Sequence, residues 1–329
     1  KKTNNAILQV LFSQGNATKV SALYSDGTIS IWDMTTRETL VTSTMSQAFP
    51  GQMIFSRDAH YLIVQKPDAT IEFWSLSPNL LEFENTSVTI PYGYPISEDN
   101  QYIALAHIDN KVTDGQIFIY PLGSTEVVNT LYDYPSNGYI RFLQAGNLLG
   151  AASSRRIQLW SLSSSQILNN SSYKNEQNCQ VAYMSDGTFQ AAGSNMGIFT
   201  SDVNYSSLCK VSKASRLTSY TFTEDNTYIG MGYEYGSIEV WDATNSEMIT
   251  LKADTAKSRI ICLSISPSDS LIAAGDINGD LFIYDLATQQ LLFYSDSHRA
   301  SINEINFSPE GQYLATSSSD GTLRIWGVP

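Results

Sequence analysis

The chain has 329 residues, enough for one large domain or for two or three small ones, and enough to bury a full core without disulfide or metal staples. Acids outnumber bases 32 to 19, for a formal charge of −13, which excludes a strongly basic nucleic-acid footprint over the whole chain. Hydrophobic residues at 42%, charged residues at 16% and 19 tyrosines exclude a disordered chain, and no apolar run approaches a membrane span.

The first residues include two lysines, but the apolar run Ala6–Phe12 is interrupted by Gln9 and is too short for a signal peptide. Numbering that opens on Lys reads as a segment excised from a longer chain. From there one pattern recurs: a tight-turn pair, alternating apolar residues, then an aromatic, often followed by Asp. The copies begin with Asp26-Gly-Thr-Ile-Ser-Ile-Trp32-Asp33, Asp68-Ala-Thr-Ile-Glu-Phe-Trp74, Asp114-Gly-Gln-Ile-Phe-Ile-Tyr120 and Ser154-Arg-Arg-Ile-Gln-Leu-Trp160. They continue with Asn195-Met-Gly-Ile-Phe-Thr-Ser201-Asp202, Tyr235-Gly-Ser-Ile-Glu-Val-Trp241-Asp242, Asn278-Gly-Asp-Leu-Phe-Ile-Tyr284-Asp285 and Asp320-Gly-Thr-Leu-Arg-Ile-Trp326. The aromatic-site spacings are 42, 46, 40, 41, 40, 43 and 42, too narrow a period for chance.

Asp-Gly or Asn-Gly between apolar runs predicts a hairpin. The strand before each turn is apolar, as in Tyr313–Ser318 or Leu271–Gly275. A further strand precedes that one and closes at a Ser-Pro turn, Ile302–Ser308 or Ile260–Ser266, and a more polar strand such as Gln289–Tyr294 follows the aromatic. No stretch sustains a 3.6-residue period, so no long helix is expected.

Four strands per repeat, repeated along the chain, is the plan of a β-propeller. At the residues quoted the chain resembles the WD-repeat family over nearly its whole length, most closely in the eighth copy and least in the fourth and fifth. The resemblance implies an all-β fold, one domain over residues 1–329, built as a β-propeller of eight four-stranded WD-type blades. Only seven fourth strands follow the eight three-strand sets, because the sequence runs straight into Gly327-Val-Pro329. The last blade is therefore expected to be incomplete, with an open edge that favours chain–chain contacts.

In that family a His ahead of the inner strand, a Ser or Thr on the second, an Asp in the hairpin turn and the third-strand Trp form a hydrogen-bonded tetrad. The eighth copy matches all four with His298, Ser318, Asp320 and Trp326. The turn acid persists as Asp26, Asp68 and Asp114 but elsewhere is Ser154, Asn195, Tyr235 or Asn278, so most blades must rest on aromatic and aliphatic packing.

The chemistry-bearing residues are sparse. His60, His107 and His298 are the only histidines, and none pairs with another His or with Cys at metal-ligand spacing. Asp276-Ile-Asn-Gly-Asp280 lacks the ligand series and closing Glu of a calcium loop and reads as a hairpin turn. Cys179, Cys209 and Cys262 read as small buried hydrophobes. Gln9, Gln52, Asn303 and Glu304 on inner strands are a thin set for a propeller hydrolase or lactonase. No catalytic residue, metal or cofactor is expected, and the chain reads as a non-enzyme. Free cysteines suit the cytosol and a Ser-, Asn- and Tyr-rich surface suits export, so the compartment stays open.

The two ends of the predicted sheets differ in charge. The end with the first-to-second turns and third-to-fourth loops is acidic, with Asp33, Glu38, Asp242, Asp285 and Glu310 among its acids. The end with the hairpin turns and inter-blade loops gathers Arg155, Arg156, Lys213, Arg216, Lys257, Arg259 and Arg299. Beside them stand Tyr92, Tyr94, Tyr132, Tyr134, Tyr173, Tyr233 and Tyr235, about half of them expected in blade packing. Tyr and Arg are favoured at interface hot spots. The resemblance implies a protein-interaction scaffold, and this turn-bearing face points to protein or peptide segments with apolar anchors and acidic or phosphorylated residues. The alternative is a ligand-sensing module of a larger signalling protein.

Overall fold

The structure, a computed structural model, describes residues 5–13, 18–44, 52–56, 60–65, 70–76, 79–85, 88, 90–97, 99–107, 114–135, 139–143, 147–152, 156–172, 179–183, 189–193, 197–201, 216–223, 227–242, 244–245, 247–251 and 258–328. Strands alone, with no helix, make up the regular structure of these residues. In chain order they are β1 (Ile7–Phe12), β2 (Lys19–Tyr24), β3 (Thr28–Asp33), β4 (Thr39–Thr44), β5 (Gln52–Phe55), β6 (Tyr61–Gln65), β7 (Ile71–Leu76) and β8 (Asn79–Asn85). Next come β9 (Tyr92–Tyr94), β10 (Tyr102–His107), β11 (Asp114–Pro121), β12 (Asn129–Pro135), β13 (Tyr139–Leu143), β14 (Leu148–Ala152), β15 (Arg156–Ser161) and β16 (Ile167–Ser172). After β17 (Cys179–Tyr183), β18 (Phe189–Gly193) and β19 (Gly197–Ser201) follow β20 (Leu217–Phe222), β21 (Tyr228–Tyr233), β22 (Ile238–Asp242) and β23 (Glu247–Leu251). The last are β24 (Ile260–Ile265), β25 (Leu271–Asp276), β26 (Leu281–Asp285), β27 (Leu291–Ser295), β28 (Ile302–Phe307), β29 (Tyr313–Ser318) and β30 (Leu323–Gly327).

Two compact units result, Lys1–Ala59 with Ala214–Pro329, and His60–Lys213. In the first, β1–β4, β20–β23 and β24–β27 are four-stranded antiparallel sheets in sequence order, and β28–β30 is a three-stranded one. The hairpins fall where the turn residues placed them. Leu23 pairs with Ile29, Gly232 with Ile238, Gly275 with Leu281 and Ser317 with Leu323 across turns closed by Gly27, Gly236, Gly279 and Gly321. Those glycines sit at φ of 81, 85, 98 and 76°, where a Cβ would be strained. Middle strands are covered on both faces, and every residue of β25 is buried.

In the first unit the turns after β1, β20, β24 and β28 share a seal that the hairpin pattern does not include. The hydroxyls of Ser13, Thr223, Ser266 and Ser308 accept the N–H of Lys19, Tyr228, Leu271 and Tyr313 at 3.0–3.1 Å. In the second unit Ser97 does the same for Tyr102 at 2.9 Å. Five Ser or Thr residues at equivalent places in the repeat are a signal visible in sequence, and it lies beneath the Ser-Pro turns already noted.

The second unit contains the three-stranded sheets β10–β12 and β17–β19, a core around Ile117, Tyr134, Phe142 and Trp160, and one sheet with more than four strands. There β9, the inner segment of the third repeat, pairs in parallel with β13, which makes the sheet β16-β15-β14-β13-β9 five-stranded. Pro91 and Pro95 flank β9, and proline offers no N–H to a ladder. The link to β10 is an isolated Ile96–Ile103 bridge, in which the Ser97 N–H donates to the Tyr102 carbonyl at 2.9 Å and the Ala104 N–H to the Pro95 carbonyl at 2.8 Å.

Candidate interaction face at the hairpin turns

In the first unit each hairpin turn is tied by its backbone to the loop ahead of the same sheet. The N–H groups of Ser25, Glu234, Ile277 and Ser319 donate to the carbonyls of Ala6, Arg216, Arg259 and Ser301 at 2.8, 2.9, 3.0 and 3.0 Å. Turn and loop therefore form one surface at each sheet end, and side chains at these positions point away from a fixed backbone. Arg216, Arg259 and Arg299 are exposed there, and Tyr235 is 70% exposed at the tip of its turn. No described carboxylate pairs with any of these three guanidinium groups.

Other residues expected on this face are placed differently. Tyr134 is 1% exposed and belongs to the core of the second unit, and Tyr233 is buried with its hydroxyl donating to Glu239 Oε2 at 2.6 Å. Burial, followed by the Glu239 hydrogen bond, pushes the Tyr233 phenol up. Both are corrections: these tyrosines lie on strand faces that turn inward, where a large ring gains more from burial than from water. Tyr132 in β12 is 63% exposed and belongs to the second unit. Tyr92 and Tyr94 lie in β9 and Arg156 in β15 by their backbones, their side chains being outside the described residues. Arg155, Tyr173, Lys213 and Lys257 also lie outside the described residues.

The tetrad of the last sheet forms with one substitution of role. His298 is buried, and its Nε2 lies 2.7 Å from Thr316 Oγ1, which also accepts the Trp326 indole N–H at 3.0 Å. Thr316 thus stands where Ser318 was expected. The two residues share a face of β29, two positions apart, and the imidazole bonds the hydroxyl farther from the hairpin turn. Ser318 instead pins the turn: its Oγ donates to the Ala300 carbonyl at 3.0 Å and accepts the Asp320 N–H at 3.1 Å. His298 Nδ1 faces Thr322 Oγ1 at 2.9 Å and Asp320 Oδ2 at 3.4 Å. Burial would raise the Asp320 carboxyl, but hydrogen bonds from the Thr322 hydroxyl and the N–H groups of Arg299 and Thr322 outweigh it and hold the group at about 2. Burial lowers His298 against the opposing pull of Asp320.

Sheets without this network leave polar atoms idle. The indole N–H groups of Trp160 and Trp241 are buried with no hydrogen-bond partner. His107 packs its ring on Phe118 at 5.7 Å, and His60 is exposed. Asp276 serves its own turn, with Oδ1 accepting the N–H of Asn278 at 2.9 Å and of Asp280 at 2.8 Å. At the opposite sheet ends the acids that follow the aromatic also cap turns. Asp33 Oδ1 accepts from Thr35 and Thr36, Asp242 Oδ1 from Thr244 and Asn245, and Asp285 Oδ1 from Thr288.

The polar residues of the inner strands join one sheet to the next. Thr218 Oγ1 donates to the Ile260 carbonyl at 2.7 Å, and Cys262 Sγ to the Ile302 carbonyl at 3.4 Å. Asn303 and Asn306 donate to the carbonyls of Ile7 and Val10 at 2.8 and 2.6 Å, and Glu304 Oε2 accepts the Val10 N–H at 2.7 Å. The Gln9 amide pairs with both backbone groups of Met53. Last sheet and first sheet are thereby stitched together. Three of the four side chains that an inner-strand active site would need, Gln9, Asn303 and Glu304, are engaged with backbone.

The WD domain, G-beta repeat family model matches residues 246–285 and 289–327. These are β23–β26 and β27–β30, so each sequence repeat contributes the outer strand of one sheet and three strands of the next. Residues 246–285 and 289–327 are WD repeats. The chain is 29% identical over 112 residues to the serine-threonine kinase receptor-associated protein of Dictyostelium discoideum, a match covering 34% of this chain and 37% of that one. It is 29% identical over 111 residues to the APC/C activator protein CDC20 of Saccharomyces cerevisiae, covering 33% and 18%. It is 24% identical over 112 residues to the LST8 homolog of Drosophila pseudoobscura pseudoobscura, covering 34% and 36%. The chain thus spans well under half the length of each of these relatives. Among solved structures, the crystal structure of the computationally designed Ika8 protein superposes with a TM-score of 0.78 at 18% identity, covering 100% of this chain and 98% of that one. That likeness shows the fold alone.

Proposed function

We propose that the chain is one eight-bladed propeller that acts as a non-enzymatic interaction platform and takes acidic or phosphorylated peptide segments on its hairpin-turn face. Eight copies of the hairpin motif and a structural likeness over the whole chain support the blade number. The WD-repeat relatives support the scaffold role, two of them carrying an association or activation role in their names. The observation that carries the choice of face is the row of exposed Arg216, Arg259 and Arg299 beside exposed Tyr235, on loops held by backbone bonds to their turns. Bidentate guanidinium contacts hold carboxylates or phosphates, and an exposed tyrosine supplies a rigid apolar anchor. An array of acidic and phosphoserine or phosphotyrosine peptides containing Phe or Leu anchors tests the reading. Capture should fail with Arg216→Glu/Arg259→Glu and persist with Glu38→Lys/Glu310→Lys. The reverse pattern moves the site to the acidic end.

A further inference from the structure

Two neighbouring loops of the second unit end in aliphatic side chains that stand in water. Val128, ahead of β12, and Leu168, in β16, are 55% and 56% exposed, with Val127 and Ile167 exposed beside them. The loops are clamped to each other. Asn129 Nδ2 donates to the Leu162 carbonyl at 2.8 Å, and Ser165 Oγ donates to Asn129 Oδ1 at 2.8 Å. Each loop is also tied to its own sheet: the N–H groups of Leu122, Val128 and Leu162 donate to the carbonyls of Gln101, Ile119 and Asn147 at 2.8, 2.9 and 3.0 Å. Leu168 is the extra residue of a bulge, since Trp160 pairs with Ile167 and Leu159 with Asn169, so no residue of β15 stands opposite it.

Charge sets these two loops apart from their counterparts. In the first unit the residue after the third-strand aromatic is Asp33, Asp242 or Asp285, and its carboxylate caps the loop that follows. After Tyr120 and Trp160 stand Pro121 and Ser161 instead, and residues 161–172 carry no charge. The charges left around the aliphatic group are exposed acids: Glu126, next to Val127, and Asp99, in the turn whose Gln101 carbonyl holds Leu122. Residues 97–102, 121–129 and 161–168 contain no Lys or Arg. A second copy of the chain would bring the same acids to the same fringe, where like charges oppose pairing. The complementary surface is aliphatic at its centre and basic at its edge.

We propose that this patch docks a segment of a partner protein in which leucine, isoleucine or valine side chains are flanked by lysine or arginine. Exposed apolar groups that cluster on a fixed surface mark interaction sites. Covering Val128 and Leu168 supplies affinity, and Glu126 and Asp99 steer the basic flanks. The clamped loops lose little freedom on docking, so little of that gain is spent on ordering them. The patch lies at the sheet ends opposite the hairpin turns and takes a partner of opposite charge to the one proposed there, so the two readings stand or fall independently.

The test uses the 329-residue chain and a fluorescein-labelled peptide, Lys-Lys-Leu-Ile-Lys-Leu-Lys. Fluorescence anisotropy should show saturable binding, about tenfold weaker for the same peptide with Ser at its three aliphatic positions, and about tenfold weaker again with Glu in place of its lysines. Val128→Lys/Leu168→Lys should weaken binding by about tenfold or more, while a matching circular dichroism spectrum and melting curve show that the variant is folded. Glu126→Lys should weaken it and flatten its salt dependence. Arg216→Glu/Arg259→Glu and Glu38→Lys/Glu310→Lys should leave it unchanged. Equal binding of the aliphatic and serine peptides, full binding by Val128→Lys/Leu168→Lys, or no binding at millimolar peptide overturns the proposal. So does loss of binding in Glu38→Lys/Glu310→Lys, since the peptide then follows acids of the first unit. Sedimentation showing a dimer that Val128→Lys/Leu168→Lys dissociates overturns it too, because a second copy then covers the patch.

Discussion

Thr316 and Trp326 are joined by an indole N–H donated to a threonine hydroxyl at 3.0 Å, and that hydroxyl is also in contact with His298. An indole can only donate, so Thr316 accepts from Trp326 and keeps its own proton for His298 Nε2. Nδ1–H is left to face Thr322 and Asp320. One oxygen therefore links the third strand, the second strand and the loop ahead of the first. Thr316→Val strands both partners and should cost about 1–3 kcal/mol, whereas Ser318→Ala, which loses a pin of the hairpin turn, should cost less. Trp241→Phe should be milder than Trp326→Phe, since the Trp241 indole N–H has no partner to lose. Urea midpoints measure all four. A larger shift for Ser318→Ala than for Thr316→Val would return the tetrad role to Ser318.

The same network sets an acid limb. Burial lowers the folded-state pKa of His298 below its usual 6.5, so stability should decline as pH falls through that value while the unfolded chain takes up the proton. Asp320, held at about 2 against a usual 3.8, adds a second loss as pH drops from 3.8 toward 2. In Asp320→Asn the second loss should vanish from a plot of urea stability against pH.

Glu304 works in the opposite sense. Burial raises its carboxyl from 4.5 to about 8 against the pull of the Val10 N–H, so the folded chain carries this proton at neutral pH. The unfolded chain releases it above 4.5, and stability should fall as pH rises from 4.5 to about 8, then level off. Glu304→Gln keeps an acceptor for Val10 and should remove that slope. An unchanged slope would assign the pH dependence elsewhere.

Close approach of sheets makes Gly232 intolerant of a side chain. A Cβ there would lie 2.5 Å from Ile260 Cγ2 and 2.5 Å from Ser219 Oγ. Gly232→Ala should therefore destabilise by about 1–3 kcal/mol in thermal or urea unfolding, by forcing β21 and β24 apart. Gly327→Ala, with no atom within 4 Å of the added Cβ, is the neutral control.

Charges at the hairpin-turn face are exposed, so capture of an acidic peptide there should weaken as salt rises, mainly through a slower on-rate. Stopped-flow association at rising sodium chloride checks this. A salt-independent on-rate would rule out steering by Arg216, Arg259 and Arg299.

The sequence by itself determined the strands, the hairpins and the repeat. Those are local: a Gly at positive φ after Asp, Asn or Tyr and a two-residue apolar period need no distant contact to be read. It also determined three members of the last tetrad. What only the tertiary structure decided is which of two hydroxyls on one strand face His298 reaches, since Thr316 and Ser318 obey the same alternation and differ only in distance from the turn. Tertiary packing likewise sent Tyr134 and Tyr233 inward while leaving Tyr235 in water, paired β9 with β13 between two prolines, and turned Gln9, Asn303 and Glu304 into links between neighbouring inner strands. Each of those outcomes depends on how closely one sheet approaches the next, a distance set by side chains far apart in the chain and absent from any local pattern.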